Sequence, residues 1–503
     1  MVNRGDIMLC FLSSVAIINS CVNGYDGSMM NGMQSLSQWQ TSFNHPVGSA
    51  LGLLNAIFNL GGTCSFFFAP YVTDIVGRRL GIAIGSVIIL VGVILQSASH
   101  SVGMFTGARF VIGFGLGISS NSAPILVAEL AHPAYRGKIT GLYNTQWALG
   151  AIIAAGVTYG SFSIPSEAAW RIPSALQGLF SVILLIFLPF MPESPRWLVD
   201  KGRADEARKI LGRLHGNGDP NHPLVNLEMQ EIEEAIEYER LNQRVSWLEL
   251  VATPGNRYRM FLGICVGLFS QWSGNGLVSY YLSKILNNIG ITDSKQQLQL
   301  NLGKECLSWV MANTGALVTD RLNRRTQFIA STAGMMITFA GLTGFTGAYN
   351  TVAAGNQGVG VGAVVFIFLY GITYSLGWTP LTTLYPTEIM PYHIRAKGLA
   401  VSSLAVNLAL FFNSYVNPVG MAAIDWKFYL VYCAWIPVEL LTVIFFFKET
   451  KGRTLEELAI IFDGEVAAVE GNRLHIDPSQ GIVPGTPPSD LDIKEEKQHF
   501  ETV

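Results

Sequence analysis

The chain has 503 residues, half of them hydrophobic and only 13% charged, against about 25% charged in a typical soluble domain. Its net charge of −3 gives no reason to expect a nucleic-acid partner. The six cysteines lie in apolar runs without CxxC or His-linked spacing, so neither a metal site nor a disulfide frame is indicated. No P-loop, nucleophile motif or metal cluster is present, so neither an enzyme nor a cofactor is expected.

The first apolar run, 7–30, is too long for a signal-peptide core and lacks a small-residue cleavage site after it. It reads as a retained membrane span. It contains Asp26, and a charge in hydrocarbon costs at least about 2.5 kcal/mol, so this carboxylate needs a partner, a wet cavity or a function. Eleven further apolar segments follow at 48–72, 80–98, 104–127, 139–161, 172–191, 258–284, 298–318, 327–348, 360–385, 397–422 and 428–447. The expectation is an all-α membrane protein with twelve transmembrane helices in two six-helix bundles. The first bundle spans 1–192 and the second 257–448. A cytoplasmic helical linker (193–256) joins them, and a cytoplasmic tail (449–503), disordered from about 463, follows.

Orientation follows from the basic residues. The even-numbered short loops hold Arg78, Arg79, Arg136, Lys138, Arg321, Arg324, Arg325, Arg395 and Lys397, whereas loop 31–46 holds no Lys or Arg. Both termini and the linker are therefore expected in the cytoplasm. In the linker, Ala207, Ile210, Leu211 and Leu214 share one face of a short helix over 203–216, and Ile232 and Ile236 are spaced i,i+4 in a second helix.

Three charge motifs recur in the same order in each half. Asp74 with Arg78 and Arg79 after the second span matches Asp320 with Arg321, Arg324 and Arg325 after the eighth. Glu129 with Arg136 after the fourth matches Glu388 with Arg395 after the tenth. Glu193 and Arg196 in PESPRWL after the sixth match Glu449 in KETKGRTL after the twelfth. Positive-inside anchoring explains the arginines but not the matched carboxylates. A network of ion pairs bridging the bundles would latch one conformation, and since an exposed pair contributes only about 0–1 kcal/mol, several must act together.

The motifs D-x-x-G-R-R, PESPRWL, the paired E-x6-R segments and KGRTLEE together resemble the sugar porter family of the major facilitator superfamily, over about residues 7–460. GYDGSMMNG and FSQWSGNGLVSYYL look like its fungal lactose permease and cellodextrin-type members. The resemblance implies alternating access by two rocking halves around a sugar site.

Asp26 falls about four residues, or 6 Å, below the outer end of the first span, and Arg109 about five residues, or 7–8 Å, below the same surface in the fourth. Opposite charges at similar depth lower each other's burial cost. They form either a permanent ion pair or a protonation switch, with the acid charged when paired and neutral when the helices part. Related proton-coupled porters carry an acid and an arginine at these motif positions, whereas related facilitative carriers have an amide for the acid. The resemblance thus favours proton symport.

Sugars need amides, hydroxyls and an aromatic face. The seventh span offers Gln271, Trp272, Asn275, Tyr280 and Tyr281, with Gly274 and Gly276 to loosen the helix. Inter-helix hydrogen bonding is the plainer use of such residues. The tenth span adds Trp378, Thr382 and Thr383, and the eleventh adds Asn407 and Asn413. The resemblance places a sugar-binding amide at Asn144. It also exposes departures: Ser270 stands where hexose carriers have a glutamine, Gly276 where they have an asparagine, and Thr383 where they have a tryptophan. The smaller side chain favours a bulkier substrate such as a disaccharide. The expected protein is a monomeric plasma-membrane carrier whose partners are a small sugar, protons and the bilayer. A uniporter, a metabolite exporter of the same fold and a transporter-like sensor are the alternatives.

Overall fold

The computed structural model describes residues 4–131, 146–216, 218–241, 247–319, 321–352, 355–451 and 455–463. Arg136, Asn144 and Asp320, and the tail expected to be disordered, lie outside them. Among the described residues the regular structure is helical, without a strand.

The first half contains α1 (Arg4–Met33), α2 (Ser37–Ser42), α3 (Gly48–Ser65), α4 (Ala69–Val76), α5 (Arg78–Ser97), α6 (Val102–Leu130), α7 (Trp147–Ser161) and α8 (Ala168–Phe187). Three shorter helices follow: α9 (Pro195–Asp200), α10 (Ala204–Leu214) and α11 (Pro223–Leu241). The second half contains α12 (Pro254–Trp272), α13 (Asn275–Tyr280), α14 (Leu282–Asn288), α15 (Ser294–Thr319), α16 (Arg324–Asn350), α17 (Gln357–Ile389), α18 (Tyr392–Ile424) and α19 (Tyr429–Phe446), and α20 (Leu455–Asp463) closes the described chain. A helix or a broken run of helices stands over each of the twelve expected spans. By length and hydropathy alone, six described stretches could cross a bilayer, or seven with the bent pair α3 and α4 taken as one.

Glycine sets how closely these helices approach. A Cβ on Gly85 would lie 2.7 Å from the Gly115 carbonyl, and one on Gly115 would lie 2.7 Å from the Gly85 carbonyl. Small residues thus let α5 and α6 pack backbone to backbone, as transmembrane helices do where hydrophobic burial drives no association. The opposite stripe of α5, with Ile84, Val87, Val91 and Ile94, is exposed, as a lipid-facing surface requires.

Both linker helices fold as the pattern requires. Ala207, Leu211 and Leu214 are buried, and the first two pack with Leu198, Val225 and Met229. His215 sits between Glu228 (2.7 Å) and the Leu130 carbonyl (3.3 Å), which ties the linker to the end of α6. At the start of the second half, Asp463 of α20 holds the buried Arg259 of α12 through contacts of 2.8 and 2.6 Å.

We call the arginine-rich face inner, on the positive-inside rule. The hydrogen bonds seen between the halves among the described residues all lie toward the opposite, outer face. Asn59 donates to Ser414 (2.8 Å), Asn31 to Asn301 (2.8 Å), the Leu282 amide to Asn31 (3.1 Å), Gln34 to the Tyr280 carbonyl (2.8 Å) and Gln299 to the Tyr159 hydroxyl (3.2 Å). The halves are therefore closed together on the outer side.

Candidate functional site

Asp26 on α1 is wholly buried and Arg109 on α6 is 2% exposed. α1 runs to Met33, three residues past the expected end, so Asp26 lies 33 − 26 = 7 residues from its outer end. Arg109 lies 109 − 102 = 7 residues from the start of α6. Both are thus about 10 Å deep at the same level. They do not form an ion pair in this conformation. Among the described residues neither Asp26 oxygen has a hydrogen-bond partner, nor do Nε and Nη1 of Arg109. The guanidinium instead rests 5.0 Å over the Phe58 ring, an attraction of the cation–π type. Each charge still lies within reach of the other's field. The Gln177 amide of α8 stands beside Asp26, while its oxygen accepts from Gln96 at 3.2 Å.

The seventh span breaks where its glycine spacing suggests. Gly274 has φ +95° between α12 and α13, a conformation that glycine adopts without steric cost. The break leaves α12 carbonyls without helical partners, and neighbouring helices supply donors. Tyr374 donates to Ser270 O (2.7 Å), Tyr370 to Ser273 O (3.0 Å) and Asn413 to Gln271 O. Asn413 and the two α17 tyrosines thus pin the hinge. Tyr281 is fully buried and donates to Ser414 O. Gln271, Asn275, Tyr280 and Asn407 are half-buried, and Thr383 is exposed. Trp378 differs from expectation. It has no exposed surface, its indole N–H donates to Thr332 at 3.1 Å, and Phe328 packs against its ring at 4.8 Å. It belongs to the interior of the second half and offers no face to a sugar in this conformation.

At the inner face the duplicated motifs build the same device twice. Arg78 meets Glu129 at 3.2 Å and Asp74 at 3.5 Å, and Arg324 meets Glu388 at 3.1 Å. Glu193 accepts from the amides of Arg78 (3.1 Å) and Arg79 (3.1 Å), capping α5, and Glu449 accepts from those of Arg324 (2.9 Å) and Arg325 (3.0 Å), capping α16. Arg79 donates to Met191 O, and Arg325 to Ile444 O. Lys451 reaches the Arg321 carbonyl, Arg395 the Met390 carbonyl, and Arg196 is half-buried. In this conformation, closed on the outer side, the described ion pairs close within each half; the expected latch between the halves would form only where they meet at the inner face. The carboxylates are placed to cap helix starts and hold them to the next helix.

Four buried polar residues escaped the sequence reading. Gln177 has no charge to flag it. Lys304 and Glu305 on α15, and Glu439 on α19, are buried charges inside expected spans, which is itself a signal of function. Among the described residues both Glu439 oxygens lack a hydrogen-bond partner.

With the geometry in place, relatives can be compared. The profile of the sugar (and other) transporter family matches residues 12–462. The chain belongs to that family. This transporter is 31% identical over 457 residues to the MFS-type transporter criB of Aspergillus cristatus, covering 89% of this chain and 92% of the relative. It is 26% identical to a high-affinity glucose transporter of Kluyveromyces lactis, covering 88% of this chain and 83% of that one. In structure it is similar to a partially occluded inward-open form of the xylose transporter XylE from E. coli, with a TM-score of 0.75 at 22% identity, covering 89% of this chain and 99% of that one. That likeness fixes the all-α, multi-pass major facilitator fold of the transporter. Its relatives are transporters, and the transporter is not an enzyme.

Proposed function

We propose that this transporter carries a neutral sugar through the plasma membrane in symport with protons, as a monomer with both termini in the cytoplasm. The observation that carries the reading is the Asp26–Arg109 arrangement. An acid and a guanidinium are buried at one level on neighbouring helices, close enough to act on each other yet unbonded. An unpaired carboxylate in this environment is stable only when neutral, so proton uptake and loss at Asp26 follow the approach and retreat of Arg109. Outer-side closure at Asn31, Gln34 and Asn59 describes one of the two conformations of an alternating-access cycle. Half-buried amides and a hydroxyl at Gln271, Asn275, Tyr280 and Asn407 supply the donors and acceptors that a sugar needs. Thr383 supports a substrate larger than a hexose, such as lactose or cellobiose.

The test is uptake of labelled D-glucose, D-xylose, lactose and cellobiose by cells lacking their own carriers, with and without a proton uncoupler. The reading predicts uptake of at least one sugar above its outside concentration, abolished by the uncoupler. Uptake that stops at equilibrium and ignores the uncoupler would make the protein a uniporter, and no uptake of any of the four would remove sugar transport.

A further inference from the structure

The interior of the second half holds two charges that the Asp26–Arg109 reading does not use. Lys304 Nζ lies 2.7 Å from Glu305 Oε1 on α15, each side chain 5% exposed. Desolvating such a pair costs several kcal/mol per ion, and hydrophobic residues in its place are often as stable or more so. A role in tying helices together does not explain it. Successive residues on a helix point about 100° apart, and among the described residues neither group bonds to another helix. A pair confined to one turn of one helix joins nothing.

The pair does face the other half. Asn301, one turn toward the outer end, accepts the hydrogen bond from Asn31 of α1. Lys304 and Glu305 stand at i+3 and i+4 from it, on the same side of the helix. Inward from that bond, Glu305 is 305 − 301 = 4 residues along α15 and Asp26 is 31 − 26 = 5 residues along α1. These are about 6 and 7–8 Å, the same layer of the membrane. The field of Glu305 reaches Tyr280, which also lies within reach of Arg109. The pair therefore lies near the seventh span, on the same side as Arg109.

An ammonium has three donors and a carboxylate two acceptor oxygens. Their mutual contact occupies one of each, leaving two N–H groups and one oxygen. The pair is neutral overall, so a neutral ligand leaves its charge balance intact, whereas a charged ligand would leave one charge uncompensated in a low-dielectric layer. Two adjacent hydroxyls match what remains, one accepting from Lys304 and the other donating to Glu305, through charge-assisted bonds roughly twice as strong as neutral ones. The geometry points to Lys304 and Glu305 as a subsite that reads a pair of adjacent hydroxyls on a neutral sugar or polyol. This rests on the transport reading above and adds to it the residues that set specificity.

The test uses purified full-length protein in liposomes. Counterflow is measured for whichever of D-glucose, D-xylose, lactose and cellobiose the wild type exchanges fastest, and for its monodeoxy analogues. The variant K304M/E305L removes both charges together. The expectation is normal yield and thermal stability with a KM raised tenfold or more. One deoxy analogue, disfavoured about tenfold by the wild type, should then be accepted within twofold of the parent sugar. Wild-type KM and unchanged discrimination against every deoxy analogue would overturn the inference while leaving transport intact. If the double variant does not fold, K304E/E305K keeps the buried pair and gives the same readout: an altered deoxy profile supports the subsite and an unchanged one overturns it. No exchange of any of the four sugars by the wild type would overturn the transport reading, and this inference with it.

Discussion

Glu193→Gln separates a helix cap from a latch between the two halves of the chain. The Glu193 carboxylate accepts from the Arg78 amide (3.1 Å), the Arg79 amide (3.1 Å) and the Ser194 amide (2.8 Å). Gly77, with φ +101°, lets it come this close, since a Cβ there would lie 2.6 Å from Glu193 Oε2. An amide in its place keeps one acceptor, turns an NH2 toward the remaining donors and removes the negative charge from the start of α5. Loss of a cap costs about 0.5–2 kcal/mol, and loss of a charge at a helix N-terminus about 0.3–1 kcal/mol, so the sum is about 1–3 kcal/mol. Each kcal/mol moves the melting temperature of a unit of about 200 residues by roughly 2–4 °C. A thermal scan of the detergent-solubilised variant should therefore fall by about 5 °C. Since the carboxylate's contacts stay within the first half, sugar exchange at a temperature where the protein is folded should remain within twofold of wild type. An unchanged melting temperature combined with a large change in exchange rate would refute the reasoning and restore a bridge between the halves.

Two further perturbations follow from the same contacts. Asp463→Ala leaves the buried Arg259 without its bidentate partner, a loss of about 3 kcal/mol for a broken buried pair, and hydrogen exchange should show 455–463 released from the start of α12; unchanged protection there would contradict it. Asn31→Ala removes bonds to Asn301 and to the Leu282 amide, at about 1 kcal/mol each, so outer-side opening should become roughly thirtyfold more populated. Spin labels at the exposed positions Thr41 and Gln296 should then show a longer distance, and an unaltered distribution would count against outer closure by these bonds.

Much of the fold is legible in the sequence because apolar runs of bilayer length admit few other uses, and the repeated charge motifs reveal the duplication. Span ends are less legible. Asn31, Gly32 and Met33 read as loop, yet they continue α1 because Asn31 finds polar partners in the other half and Gly32 packs against Thr158. The break at Gly274 is visible in composition, but the donors that make it tolerable, Tyr370, Tyr374 and Asn413, come from distant segments. Spacing shows that Arg78 and Glu193 share an inner face. It does not show that the carboxylate binds backbone amides rather than a guanidinium across the interface. Trp378 illustrates another limit: an aromatic residue in an apolar helix looks the same whether it faces a cavity or, as here, Phe328 and Thr332.

The central claim is that a proton carried by Asp26 drives the sugar, and accumulation by Asp26→Asn tests it most directly. With 100 mV across a liposome membrane, inside negative, one proton per sugar supplies about 2.3 kcal/mol, enough for roughly fortyfold accumulation at about 1.4 kcal/mol per tenfold. Wild type should approach that ratio, whereas Asp26→Asn should stop at equal concentrations while still exchanging labelled for unlabelled sugar. Accumulation by the variant to the wild-type level would contradict the claim.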